Sequence, residues 1–157
     1  MKKIYASDYG IYPGQICNYT YRIAKMLETA GNNSEIIFEQ GTYRFDVINV
    51  FKRNYSVSNT YHVPQQSVSI LLQDMHDIKL NFNNSELLFN GWQIPFAIDN
   101  CKNISIQNMM IDWEVSTSAE GEVISADEKR IILCIDNSLY PHYVKDGKLI
   151  FVGDGWE

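Results

Sequence analysis

The residues whose types and spacing best suit chemistry are the two carboxylates of Asp112-Trp113-Glu114. On a β-strand, residues i and i+2 project to one face about 6.5–7 Å apart. Inverting glycosidases hold an acid and a base ~6.5–9.5 Å apart, one protonating the leaving oxygen and the other activating a water. Any Asp-x-Glu strand gives this spacing, so three roles stay open for Asp112 and Glu114. They are catalysis, contact with substrate, and a solvated strand end with Trp113 turned into the core. Trp92, inside Asn90-Gly91-Trp92-Gln93, either stacks on a sugar ring from an exposed turn or packs on a neighbouring layer. The candidate substrate-binding set is Asp112, Trp113, Glu114 and Trp92, and no catalytic residue is assigned.

Other chemistry-bearing residues have plainer readings. Asp74 and Asp77 flank His76, which suggests calcium or acid–base work, but both fall at a chain corner where Asp bonds its own backbone. Arg44 and Arg53 fit an anionic sugar or local carboxylate partners. Cys17, Cys101 and Cys134 are widely spaced and odd in number, and with His62, His76 and His142 scattered they build no zinc pattern. They read as unpaired thiols packed as small hydrophobes. Nucleophile-elbow, phosphate-loop, dinucleotide and HExxH motifs are missing from the sequence. No metal or organic cofactor is expected.

These residues need a scaffold, and the chain supplies one domain's worth in 157 residues. Apolar residues at 45% and aromatics at 13% exclude a disordered chain and suit strands. A net charge of −6 argues against nucleic acid and against an anionic membrane surface, and is neutral toward uncharged sugars. Met1-Lys2-Lys3 looks like a leader, but Ser7, Asp8 and Gly10 interrupt any apolar run, and no segment is long enough to span a bilayer.

The first segment reads as a turn-rich loop followed by a helix. Ile23, Met26, Leu27 and Ala30 recur at helical spacing, Asn18 or Thr20 caps the start, and Gly31 stands just past the end. From Glu35 onward, short apolar strands alternate with Asn, Asp, Ser and Gly. A shift of 26 residues lays Ile70 on Phe96, Leu72 on Ile98, Ile78 on Ile104 and Leu80 on Ile106. The turn Gln73–Asp77 falls on Asp99–Asn103 in the same shift. Repeats of this length, made of strands and Asn/Asp corners, suit stacked coils in which all eight apolar residues enter one core. Asn fits the corners because it tolerates left-handed backbone angles. After Trp113 the rhythm stops. Strands over 121–125, 130–135 and 148–152, with a hairpin turn at Asp146-Gly147, read as a small antiparallel element that ends without a closing strand.

The residues also carry a likeness. Ala6-Ser7-Asp8-Tyr9-Gly10, then Asn18-Tyr19-Thr20 and the helix, then Ile37-Phe38-Glu39-Gln40-Gly41-Thr42-Tyr43, resemble the N-terminal signature of the pectate-lyase-like superfamily. Gln40 stands where that signature usually has Pro. Ser58-Asn59-Thr60-Tyr61-His62, the stretch from Phe96 to Asn108, and Ile111-Asp112-Trp113 are similar to glycoside hydrolase family 110, the α-1,3-galactosidases. The antiparallel element resembles the β-barrel that interrupts the helix in that family. The resemblance implies an all-β, right-handed parallel β-helix with an N-terminal capping helix and a C-terminal antiparallel element. Residues 1–34 would form the loop and cap, 35–113 the coils, and 114–157 the partial barrel.

The same resemblance implies an N-terminal part of an inverting glycosidase several times longer, secreted or periplasmic, acting on galactose-terminated glycans. The acidic residues credited with catalysis lie in the later part of family members and match no position here, so this chain alone would be inactive. A polysaccharide lyase and a non-catalytic glycan-binding β-helix are the alternatives, and the first would need calcium or basic residues to neutralise a uronate. Expected partners are carbohydrate, neither nucleic acid nor membrane, with room for a homo-oligomer.

Overall fold

Asn18 opens the one α-helix by accepting the Tyr21 N–H at 3.4 Å, a cap that satisfies one of the first turn's orphan donors. The helix, α1 (Tyr19–Ala30), stops at Gly31, whose left-handed φ of 63° no β-branched residue would take easily. Its buried face carries Tyr19, Ile23, Met26 and Leu27, and it packs against the strands β3 (Thr42–Phe45) and β5 (Gln65–Gln73). The computed structural model describes residues 1–48, 50–58 and 65–153. Asn59-Thr60-Tyr61-His62, four residues of one motif noted above, and 154–157 lie outside the described residues.

The remaining strands are β1 (Lys2–Tyr5), β2 (Ser34–Ile37), β4 (Phe51–Asn54), β6 (His76–Phe89), β7 (Ile94–Asp99) and β8 (Lys102–Trp113). Two hairpins follow, β9 (Glu122–Ala126) with β10 (Ile131–Cys134), and β11 (His142–Lys145) with β12 (Lys148–Phe151). β1, β2, β6 and β8 lie side by side, β3 also pairs with β6, and every one of these pairings is parallel. A second sheet places β5 between antiparallel β4 and parallel β7. Among the described residues the protein is thus mostly β, with parallel sheets and one α-helix.

The 26-residue shift read from the sequence is the actual register. Ile70 stands opposite Phe96 and Leu72 opposite Ile98 between β5 and β7, while Ile78 meets Ile104 and Leu80 meets Ile106 between β6 and β8. The β6–β8 register slips between Asn81 and Ser85, where Asn83 and Asn84 both adopt positive φ. Asn and Asp hold the corners as expected, with left-handed φ at Asn33, Asp74, Asp77, Asn100, Asn103 and Asn108. Asp74 and Asp77 do not bond their own backbone, however. Each accepts the side-chain amide of the equivalent corner one strand over, Asn100 and Asn103, both at 2.5 Å. Polar corners are satisfied between layers because the parallel stacking brings like positions face to face.

The core is built in columns that run across the strands. Phe38 stacks on Phe82 at 4.2 Å, and Phe45 on Phe89 at 4.9 Å with Trp113 next at 5.6 Å. Ile36 and Leu80 are both fully buried, and Ile106 beyond them is only half-buried. Seven of the eight repeat residues enter one core or pack against it, as expected, and Ile98 is the exception, with coverage uneven among them. Ile70, Leu72, Ile78 and Leu80 are sealed, Phe96, Ile104 and Ile106 are half-covered, and Ile98 is 53% exposed. The reason is position: β7 and β8 carry no strand on their outer edges among the described residues.

Three strands escaped the sequence reading, β4 (Phe51–Asn54) among them. Lys2–Tyr5, read as loop, is β1, because only Ile4 of its four residues is buried and it gives no alternation to detect. His142–Lys145 is β11, closed onto β12 by Asp146-Gly147 with φ of 51° and 72°, the two left-handed residues of a tight hairpin.

Candidate functional site

Strand alternation decides which side chains leave the core near the end of β3. Tyr43 and Phe45 point inward and are buried, so Arg44 points out. Arg44, Leu88 and Asp112 stand opposite one another across β3, β6 and β8. Just past β8, the Glu114 N–H donates to the Phe89 carbonyl at 2.8 Å and continues the parallel alignment by one residue. Its side chain then crosses toward β3, and Arg44 Nε donates to Glu114 Oε1 at 3.0 Å. The pair is partly exposed, so it fixes the geometry more than it stabilises the fold, contributing at most ~1 kcal/mol.

This ion pair forms one side of a cleft of about 360 Å³. Asp46 and Asn90 line it from the ends of β3 and β6, and Gln15 to Thr20 close it from the start of the helix. That wall is tied down at several points. The Tyr19 hydroxyl donates to the Tyr12 carbonyl at 2.6 Å and accepts the Gln15 N–H at 3.0 Å. Arg22 donates to the Gly10 carbonyl at 2.6 Å and to Gln15 Oε1 at 3.2 Å. Gly14 N–H reaches the Thr42 carbonyl at 2.8 Å. At Gly41, φ is 154° and an added Cβ would come within 2.5 Å of Pro13 Cβ, so only glycine lets the loop lie this close to β3. Burial raises the Tyr19 hydroxyl above its ordinary pKa, which keeps it a neutral donor in this network.

The four substrate-binding candidates are not gathered in one place. Glu114 lines the cleft, while Asp112 and Trp113 lie outside its lining. Asp112 is exposed, and its Oδ1 accepts the neighbouring Trp113 N–H at 2.8 Å. Trp113 is half-buried on Phe89, and its indole nitrogen is buried with no hydrogen-bond partner among the described residues. Trp92 stands 46% exposed beside Gly91, which takes φ of 70° at the turn. Arg44 was legible as a carboxylate partner. Arg53 instead lies 5.4 Å over the Phe51 ring and donates to the Lys52 carbonyl. Asp46, Asn90 and Gln15 were not singled out, since a lone polar residue at a strand end or loop has no spacing to mark it.

A more open cavity of about 480 Å³ borders Asp74, His76 and Asp77. The Asn103 amide and the His76 ring both bond Asp77 and hold its carboxyl below the ordinary range. Among the described residues, no group of three or more His, Cys, Asp or Glu is placed to hold a metal, and the three cysteines are free thiols. No helix among them is long and apolar enough to cross a membrane.

No family model matches the chain. Curated relatives do, along nearly its whole length. Alpha-1,3-galactosidase B of Bacteroides thetaiotaomicron is 31% identical over 158 residues, which covers 99% of this chain and 26% of that protein. Alpha-1,3-galactosidase B of Akkermansia muciniphila is 25% identical over 97% of the chain and 19% of its own length. Alpha-1,3-galactosidase A of B. thetaiotaomicron is 26% identical over 93% of the chain and 27% of its own length. The chain spans about a quarter of the length of the relatives it matches.

Proposed function

We propose, from the premise that this chain is related along nearly its whole length to the α-1,3-galactosidases its motifs resemble, that the protein works as a glycoside hydrolase. In that reading it removes terminal α-1,3-linked galactose from glycans, by inversion. The observation that carries the reading is the 31% identity spread over 99% of the chain, which a shared local motif would not produce.

The strand pairing supports a right-handed parallel β-helix as the scaffold. Two separate sheets step by the same 26 residues, which is what a repeating coil requires. Within that scaffold, residues 1–34 form the entry loop and cap, 35–113 the coils, and 114–157 the antiparallel element. Glu114, held by Arg44, serves as a substrate contact, and Asp112, Trp113 and Trp92 remain further candidates for contact outside the cleft. General acid–base hydrolysis needs two carboxyl groups on opposite sides of the scissile bond. No pair in this chain is assigned those roles. A glycan substrate suits a secreted or periplasmic protein.

The test is galactose release from an α-1,3-linked galactoside, comparing this chain with a polypeptide as long as the relatives. The longer protein is expected to turn over and the 157-residue chain is not. Turnover by the chain itself, abolished by Asp112→Asn, would move the active site into it. An inactive longer protein would favour a lyase or a binding role.

A further inference from the structure

The cleft beside Glu114 has the makings of a binding site independent of where hydrolysis happens. Its volume of about 360 Å³ falls at the lower end of the ~300–1,000 Å³ typical of small-molecule sites, room for one or two sugar rings. Its polar groups are of both kinds. Arg44 bonds Glu114 through Nε alone, so its terminal nitrogens have no partner among the described residues and remain as donors. Asp46 uses Oδ1 to accept the Ile48 N–H at 2.9 Å, leaving Oδ2 as an acceptor. One guanidinium and two carboxylates on the lining give a local charge of minus one, which disfavours phosphate, sulfate or a uronate. The same groups suit adjacent hydroxyls, each of which donates and accepts.

Apolar surface completes the site. Ile16 is fully exposed and Ile48 is 66% exposed, and both line the cleft. A pyranose has one face rich in C–H groups that such side chains cover. The loop wall is already fixed by the Tyr19 and Arg22 hydrogen bonds, so binding need not order it.

We propose that this cleft binds a neutral pyranose, with Arg44, Glu114 and Asp46 reading its hydroxyls and Ile16 and Ile48 flanking its ring. The chemical class follows from the cleft, and the choice of galactose rests on the function proposed above.

The experiment is ligand-observed saturation-transfer NMR on the 157-residue chain with methyl α-D-galactopyranoside, with methyl α-D-glucopyranoside and inorganic phosphate as comparisons. Saturation transfer from the protein to the galactoside ring protons is expected, with weak affinity as befits a single ring. Arg44→Gln should weaken binding about tenfold, as the loss of a charged hydrogen bond implies. Ile16→Ser, at a fully exposed position, should weaken it severalfold without touching the fold. Asp46→Asn keeps the Oδ1 acceptor for Ile48 and serves as a folded variant of altered charge, expected to weaken binding. Circular dichroism checks that each variant is folded.

Absence of binding of either glycoside at tens of millimolar would overturn the proposal. So would binding unaffected in Arg44→Gln and Ile16→Ser, or preference for phosphate. Binding of glucoside but not galactoside would keep the site and unseat galactose. An active longer enzyme whose N-terminal chain binds no sugar would sink this inference alone and leave the glycosidase reading standing.

Discussion

Truncating two side chains of one core column gives a quantitative check on how the parallel strands are covered. Ile36, Leu80 and Ile106 stand in register on β2, β6 and β8. Leu80 is fully buried between the other two, and Ile106 is half-buried at the outer strand. Buried Leu→Ala changes cost ~2–5 kcal/mol, transfer and cavity terms together. With neighbours on both sides Leu80→Ala should cost about 3 kcal/mol, since the site has little freedom to collapse. Ile106→Ala forfeits contacts on one side only and relaxes toward solvent, so about 1.5 kcal/mol is expected. For a chain of this size these losses correspond to Tm falling by roughly 6–12 °C and roughly 3–6 °C. Urea titrations of both variants against the unchanged protein supply the free energies, with m-values showing whether the unfolding unit is the same. Equal losses at the two positions would refute the reasoning, because they would mean that β8 is covered on its outer side.

Three further outcomes follow from the same geometry. Gly41→Ala should clash with Pro13, displace the loop wall and lower stability by about 1–3 kcal/mol, readable as a drop in Tm and a weaker galactoside signal. Tyr43 is fully buried and its hydroxyl donates to the Glu39 carbonyl at 2.8 Å, so burial raises its pKa above the ordinary value. Because the folded form holds the proton longer than the unfolded form, stability should be intact below about pH 10 and fall above it, and Tyr43→Phe should flatten that alkaline limb in pH-dependent melting. Asp77 runs the other way, its carboxyl held below the ordinary range by Asn103 and His76. Its contribution is present above the usual Asp range and lost as pH falls through the lowered value, so Asn103→Ala should reduce the acid sensitivity of unfolding.

Much of the frame was readable because it rests on period. The helix showed two capping candidates, Asn18 and Thr20, its apolar stripe and its terminal Gly31; the structure takes Asn18 as the cap, and the stripe and Gly31 sit where the pattern put them. The 26-residue shift was visible because Ile70, Leu72, Ile78 and Leu80 each repeat as an apolar residue, and parallel pairing preserves that spacing as register. Coverage was not readable. Nothing in the letters of Ile98 distinguishes it from Leu72, yet one is half-exposed and the other sealed, because exposure depends on which strand lies alongside.

The site was legible in part for the same reason. Asp112 and Glu114 were found by their spacing, but that spacing carries no information on partners 70 residues away. Only the folded register brings Arg44 from β3 to Glu114. The cleft itself joins the loop before the helix to two strand ends, a long-range arrangement that no local pattern encodes.

The most direct test of the central claim is the anomeric form of the released galactose, followed by proton NMR during cleavage of a Galα1-3Gal methyl glycoside, whose blocked reducing end adds no second free galactose, by the protein at its relatives' full length. The account predicts release of galactose, with the β-anomer appearing first and the α-anomer growing only by mutarotation. Galactose released first as the α-anomer would contradict the inverting mechanism. Release of no galactose at all would contradict the assignment itself.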